Sequence, residues 1–292
     1  MTTAGDIIDL IQQGLHGYGA SQDRVTGLAA DMSPTDMTFT VTDTFGQAVG
    51  ISPGLVEIDS EQIYVKGVDQ ATGRCTIPGF GRGMHATTPS AHSAGALITT
   101  RPAFPRAELL TSINDVIGAV YPDLFAVKDY TTVVHWPSNT YAIPNIPDGA
   151  KVLDAQWQDP LGNWVKCNSY TLDPFDQTFR LGSGALIGRP LRIVYMCEPT
   201  LLTSEADDFA LTGLPSSCSD VIRLGVIAAQ ASTLDIARAQ IKSAEQSDRS
   251  KVVPPFAGEK ASQYAEAMFQ QRLQNEARAL RIRYKTRMVR TF

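Results

Sequence analysis

The residues of this 292-residue chain whose types could do chemistry are four histidines, four cysteines and two acidic groupings. His85 and His92 stand in a segment rich in glycine and proline, and neither has a cysteine or an acid beside it at metal-ligand spacing. They read as loop histidines, with His92 hydrogen-bonded to loop backbone. His16 follows an amphipathic run and His135 precedes Trp136-Pro137, so both read as structural. Glu57, Asp59 and Glu61 alternate along what reads as one strand, which puts all three on one face. Acid-base chemistry needs a second group at a defined separation, and nothing supplies it; a solvated face is the simpler reading, as it is for Asp207-Asp208. Cys75, Cys167, Cys197 and Cys218 show no Cys-x-x-Cys pairing and read as reduced, partly buried thiols. No serine sits in a Gly-x-Ser-x-Gly elbow. The turns Gly79-x-Gly81-x-Gly83 and Gly182-x-Gly184-x-x-x-Gly188 match no phosphate-binding spacing. These residues predict a protein that is not an enzyme, with no catalytic residue, no metal and no cofactor.

The charge that is concentrated lies at the C-terminus. Arg272, Arg278, Arg281, Arg283, Lys285, Arg287 and Arg290 face a single acid, Glu276, while the whole chain carries a formal charge of −5. Positive charge complements the C-terminal end of a helix dipole, which accounts for the first few arginines but not for those beyond Lys285. Met288, Val289 and Phe292 alternate with the cations and suit an extended segment laid on another chain's sheet edge. The acidic balance of the rest argues against general nucleic-acid binding.

The elements that must position these residues read from periodicity. Ile7, Ile8, Ile11 and Leu15 mark a short amphipathic helix; alternating runs between about Met37 and Thr100 mark a small antiparallel unit. Pro105 opens a helix through Leu109, Ile113, Val116, Ile117 and Val120, and Pro122 closes it. A second β region runs from Tyr130 to Pro199, with a hairpin connection at Asp159-Pro160-Leu161-Gly162-Asn163 whose flanking Trp157 and Trp164 pair across the strands. Apolar residues surround the first half of a helix over Ser219 to Ala244, which predicts burial on all sides. After Pro254-Pro255 a last helix carries the stripe Ala265, Phe269, Leu273, Ala277 and Leu280, to which a packing role between copies in a ring is assigned. The fold expected is α+β: a helical bundle core made of N-terminal, middle and two C-terminal helices, with two antiparallel β insertions. Its parts are 1–26, the first helix; 27–103, a small β module; 104–126, a helix; 127–203, a sandwich-like insertion; 204–280, a helical pair; and 281–292, a basic tail.

Three segments resemble neck proteins of tailed bacteriophages. In the first, Glu57 to Val65 leads into Gly79-Phe80-Gly81-Arg82-Gly83 and then Ala91-His92-Ser93-Ala94-Gly95-Ala96. This is similar to a β module of head-tail connector and tail proteins, with Arg82, Gly83, His92 and Gly95 at its motif positions. The second, Trp157 to Leu202, resembles the β region of phage adaptors through Arg180-Leu181-Gly182 and Gly188-Arg189-Pro190-Leu191-Arg192. The third, from Leu214-Pro215 through the last helix with Tyr264 and Glu276, resembles the C-terminal helical pair of the same adaptors.

The resemblance implies a structural head-to-tail adaptor: a twelve-fold ring of identical copies beneath the portal that extends the DNA channel. Its partners would be the portal protein, further copies of itself, a downstream neck or tail protein, and genomic DNA that passes without specific binding; no membrane is involved. It would be assembled in the host cytoplasm and reside at the head-tail junction of the virion. Portal docking is assigned to Arg281, Arg283, Tyr284, Lys285, Arg287, Met288, Arg290 and Phe292. The alternative is a tail or baseplate protein that binds a receptor or glycan, with Trp136, Trp157 and Trp164 as stacking faces. A cell-wall hydrolase is a third class, for which the sequence offers no catalytic pair.

Overall fold

The computed structural model describes residues 2–16, 24–42, 51, 53–135, 140–142, 151–167, 170–173, 178–181, 187–242 and 257–284. Its first elements are α1 (Ala4–His16), β1 (Arg24–Gly27), β2 (Thr38–Thr40), β3 (Gly54–Ile58), β4 (Glu61–Val65), β5 (Gly67–Asp69), β6 (Arg74–Thr76) and β7 (Leu97–Thr100). Then come α2 (Arg106–Ala119), β8 (Ala126–Val133), β9 (Thr140–Ala142), β10 (Lys151–Gln158), β11 (Trp164–Lys166), β12 (Tyr170–Asp173), β13 (Thr178–Leu181) and β14 (Pro190–Cys197). Two helices close the described chain, α3 (Ser219–Lys242) and α4 (Ala257–Arg283).

These fourteen strands form four antiparallel sheets, and with four helices the protein is mixed and rich in β structure. This corrects the expected helical bundle core with two β insertions. The reason is visible in what the strands bury. Leu28, Phe39, Val56, Ile58, Ile63 and Ile98 belong to one core made by strands and their loops. Ala155, Phe179, Leu181, Leu191, Ile193 and Tyr195 belong to another. Helical periodicity reveals that a face is covered without revealing what covers it, and the sheets carry cores of their own.

The chain divides into two compact units, one of residues 5–113 and 229–262, the other of residues 1–4, 114–228 and 263–292. In the first, the sheets ordered β1-β7-β3-β4 and β2-β6-β5 share the core around Ile58 and Ile63. Ile7, Ile8, Ile11 and Leu15 of α1 are buried, as the spacing predicts. Arg106 at the start of α2 reaches Asp9 of α1 at 2.6 Å, and Gln12 Nε2 donates to the Phe104 carbonyl at 3.0 Å.

In the second unit, the sheet ordered β11-β10-β14-β8 contributes one face to the core around Phe179, together with the sheet β12-β13-β9. Asp159 locks the β10–β11 connection: its carboxylate accepts from the Leu161 and Asn163 amides at 2.8 Å each. The register pairs Trp157 with Val165 and Gln158 with Trp164. Trp157 and Trp164 are therefore offset by one residue onto opposite faces and do not pair, a correction forced by the two-residue period of a strand. Gly225 of α3 sits close against the two other helices of this unit. A Cβ there would lie 2.8 Å from Val116 of α2 and 3.0 Å from the Phe269 ring of α4. Val221, Ile222, Val226 and Ile227 are buried. Pro254-Pro255 lies outside the described residues.

Candidate functional site

The acidic run that reads as one strand is a tight hairpin. β3 ends at Ile58, Asp59 and Ser60 form the turn, and β4 starts at Glu61, with Glu57 opposite Gln62 and Ile58 opposite Glu61. Asp59 takes the positive φ of 52° that such a turn demands, a conformation Asp tolerates better than most residues. Residues directly opposite share a face, so Glu61 lies with Val56, Ile58, Ile63 and Val65 on the core side, and Glu57 lies on the other side. Both carboxylates are buried, at 4% and 1% exposure, which overturns the expected solvated face.

Each has a physical reason to be inside. Glu57 Oε1 accepts from the Arg106 backbone N–H at 2.6 Å, so it caps the N-terminus of α2, where the helix dipole favours negative charge. Glu61 is met by five N–H groups. Its Oε1 accepts from Arg82 Nε at 2.6 Å and Gly83 N at 3.1 Å; its Oε2 accepts from Arg82 Nη2, Ser90 N and His92 Nε2, each at 2.9 Å. Burial alone would push this carboxyl up. The hydrogen bonds from Arg82, His92, Ser90 and Gly83 together outweigh it and hold the group down at about 2, from an ordinary value of 4.5.

Arg82 uses all five of its guanidinium N–H groups. Beyond the two on Glu61, Nη1 donates to the Ser33 carbonyl at 2.8 Å and the Asp36 carbonyl at 3.1 Å, and Nη2 to the Ser90 carbonyl at 2.8 Å. One side chain thus ties β4 to the 33–36 turn and to the segment before His92. Gly83, with φ of 61°, delivers its amide to Glu61 from a turn in which a Cβ would sit 2.7 Å from the Thr87 carbonyl oxygen. Gly95 adopts φ of 87°, and its amide donates to the Leu28 carbonyl at 2.7 Å.

His92 differs from the expectation. Its backbone pairs with Met32, at 2.8 and 2.9 Å, but its ring bonds carboxylates: Nδ1 to Asp59 Oδ2 at 2.8 Å and Nε2 to Glu61 Oε2 at 2.9 Å. Carboxylates only accept, so both ring nitrogens donate and the ring is an imidazolium. Burial opposes that charge; Glu61 and Asp59 overcome it, and the histidine's pKa lies above its ordinary value. His85 Nδ1 donates to the Gln62 amide oxygen at 2.6 Å.

The result is a row of alternating charge, Arg82, Glu61, His92 and Asp59. The first three side chains are 5%, 0% and 0% exposed; Asp59 alone reaches solvent, at 58%. A general base needs a free lone pair facing a substrate. Here every nitrogen of Arg82 and His92 and both oxygens of Glu61 are engaged, so these three side chains fix geometry and offer no proton acceptor to a ligand. Among the described residues no group of three or more His, Cys, Asp or Glu could hold a metal ion. Burial pushes the thiols up, Cys75 and Cys167 to about 11 and Cys218 to about 12, which leaves them protonated at neutral pH. The motif residues Arg82, Gly83 and His92 meet at Glu61, a partner that alternation hides; the sequence signal for it is a two-residue Asp-Ser turn between apolar strands.

The C-terminal residues fall out differently. Ala265, Ala277 and Leu280 are buried within a single chain, Phe269 and Leu273 half-buried. Arg281 pairs with Asp123 at 2.7 Å, Tyr284 meets the edge of Phe125, and Arg283 lies over the Tyr284 ring at 5.7 Å. Lys285, Arg287, Met288, Arg290 and Phe292 lie outside the described residues. Asp207 caps its own loop, accepting from the Thr203 and Ser204 amides at 2.7 and 2.9 Å. No described helix is long and apolar enough to cross a membrane. No protein-family model and no curated protein matches this chain in sequence.

Proposed function

We propose that this chain is a structural head-to-tail adaptor of a tailed phage, forming a ring of identical copies beneath the portal and extending the DNA channel. The observation that supports the reading is the buried row of charges. Arg82, Gly83 and His92, three of the four motif positions in the segment that resembles phage connector modules, spend polar groups on Glu61. A motif consumed in this way is a device for shape: it pins three loops around a hairpin so that a small module keeps its form under load. An enzyme's motif would instead leave a reactive group facing a cleft.

In this reading the partners are the portal, neighbouring copies joined head to tail around a rotation axis, a downstream neck or tail protein, and DNA that passes unbound. The negative balance of the chain suits a wall that does not grip phosphate. The basic segment after Tyr284 docks to the portal through charge-assisted contacts. The protein acts in the virion neck after assembly in the host cytoplasm. The experiment is co-sedimentation with purified portal rings of the full chain and of a chain ended after Tyr284, which keeps the contacts to Asp123 and Phe125. The full chain should sediment with the rings and the shortened chain should not; equal attachment of both removes the docking role of the tail, and attachment of neither removes the adaptor.

One observation favours a second reading, a tail or baseplate protein that binds a receptor or glycan. The β10–β11 hairpin ends in Leu161 at 86% exposure, with Trp164 at 41% beside it. An exposed aromatic face on a fixed turn is suited to stacking on a sugar. Glycan-array binding that is abolished by Trp164→Ala would support it.

A further inference from the structure

As an imidazolium, the His92 ring has two N–H groups and gives one each to Asp59, at 2.8 Å, and Glu61, at 2.9 Å. The groups that face His92 come from each segment around it. β4 supplies Glu61, 0% exposed, with Arg82 at 2.6 Å on its other oxygen. The β3–β4 turn supplies Asp59, 58% exposed. The histidine's own segment supplies the Ser90 hydroxyl, 3.4 Å from Nε2, and the 31–36 segment meets the His92 backbone through that of Met32, at 2.8 and 2.9 Å. Asp31 and Asp36 of that segment turn their carboxylates to the amides of Ala94 and Ser33 instead. The two acids on the ring are unequal. Glu61 keeps N–H donors from Arg82, Gly83 and Ser90 and has no access to water. The Asp59 side chain has, among the described residues, no hydrogen bond but the one from His92, and it has a path to solvent.

Loss of one proton leaves one donor for two carboxylates, so one ring nitrogen must turn a lone pair on an anion. On the Glu61 side that repulsion could not be relieved, because the carboxylate is held in place away from water. On the Asp59 side it can. We propose that His92 and the Asp59-Ser60 turn form a proton-operated latch: the imidazolium holds Asp59 over the buried ring, and when Nδ1 gives up its proton the Asp59 side chain swings to water and the turn opens. Nε2 keeps its proton and its bond to Glu61, so the rest of the cluster stays assembled. The turn moves and the histidine does not, because the His92 backbone is bonded to Met32 through both its N–H and its carbonyl. Opening also lets water reach Nδ1, on a ring that is otherwise 0% exposed, and lets Asp59 leave its left-handed φ of 52°. Burial favours the neutral ring, but the hydrogen bonds to Glu61 and Asp59 raise its pKa above the ordinary value. The latch is therefore shut below pH 6.5 and opens as pH rises through the folded value. The inference goes beyond the adaptor reading and does not depend on it, since it uses only this turn and this ring.

The test uses the full chain with nitrogen-15 in its histidine rings, followed by NMR from pH 5.5 to pH 10, with the His92 signals identified by their loss in His92→Gln. Hydrogen exchange, corrected for its intrinsic pH dependence, is measured on the same samples. At the acid end both His92 nitrogens should carry protons, and across the titration Nδ1 should become the unprotonated one. In the same pH step the protection of the amides of residues 59–61 should fall at least tenfold, while that of Val56 and Ile63, in the strands on either side, changes less. Asp59→Asn is the control. An amide offers its oxygen to an N–H or its NH2 to a lone pair, so the turn should stay shut in both states: His92 should titrate at lower pH and the step at 59–61 should vanish. Loss of the Nε2 proton instead of the Nδ1 proton overturns the proposal. So does a ring already neutral at pH 5.5 or still doubly protonated at pH 10, protection of 59–61 that does not follow the His92 titration, or a step that survives in Asp59→Asn.

Discussion

Replacing Glu61 by Gln keeps the size of a side chain that is 0% exposed and removes its charge. The carboxyl titrates at about 2 in the folded protein against an ordinary 4.5, so its ionised form is stabilised by about 3 kcal/mol. The same range, about 3–5 kcal/mol, is what breaking a buried ion pair costs when the partner charge stays inside. Here two would remain, since Arg82 and His92 are 5% and 0% exposed. Because the folded value is depressed, the contribution is fully present above about pH 4.5 and disappears as pH falls towards 2. The assay is urea unfolding from pH 7 down to 2.5, with hydrogen exchange over residues 54–100 to localise the loss. Glu61→Gln should be about 3 kcal/mol less stable at pH 7 and should lose part of the acid dependence of the natural chain. A variant within about 0.5 kcal/mol at pH 7, the range of an ordinary surface change, with the acid limb intact, would refute the reasoning.

Other perturbations separate the parts of the same network and of the helices around it. His92 has a raised pKa, so its contribution is complete below pH 6.5 and is lost as pH rises through the folded value; His92→Gln should flatten the pH dependence of the stability of residues 54–100 above pH 6.5. Asp59→Asn, at an exposed position that tolerates left-handed backbone, should cost less than about 1 kcal/mol by urea unfolding. Glu57→Ala removes the acceptor of the Arg106 amide and should destabilise by about 1 kcal/mol, with faster exchange confined to the first turn of α2. Gly225→Val places methyl groups against Val116 and the Phe269 ring, and overpacking there should lower stability by about 1–3 kcal/mol, read as a fall in melting temperature.

What could be read from the sequence was what depends on near neighbours. The turn at Asp159 to Asn163 is written in residues that build it, and the buried spacing of Ile7, Ile8, Ile11 and Leu15 announces α1. What depended on distant partners could not be read. Ala277 and Leu280 look alike whether they cover a neighbouring copy or the chain's own interior, so the stripe suggested a bundle where sheets carry cores of their own. The site shows the same limit more sharply. A run of alternating acids from Glu57 to Glu61 implies one face, but two residues of turn reverse the strand and send the two carboxylates to opposite sides. Their burial then rests on the Arg106 amide, on Arg82 and on His92, far along the chain. Even the acidic partner missing from the histidine reading was present, thirty-one residues upstream of His92.

The measurement that bears most directly on the adaptor reading is the position of this chain in an intact particle, determined by electron cryomicroscopy of the neck. Copies arranged as a closed ring against the portal, with density for the α3–α4 pair lining that ring, are what the account predicts. Copies found only at the distal tip or on fibres, with the portal meeting a different protein, would contradict it.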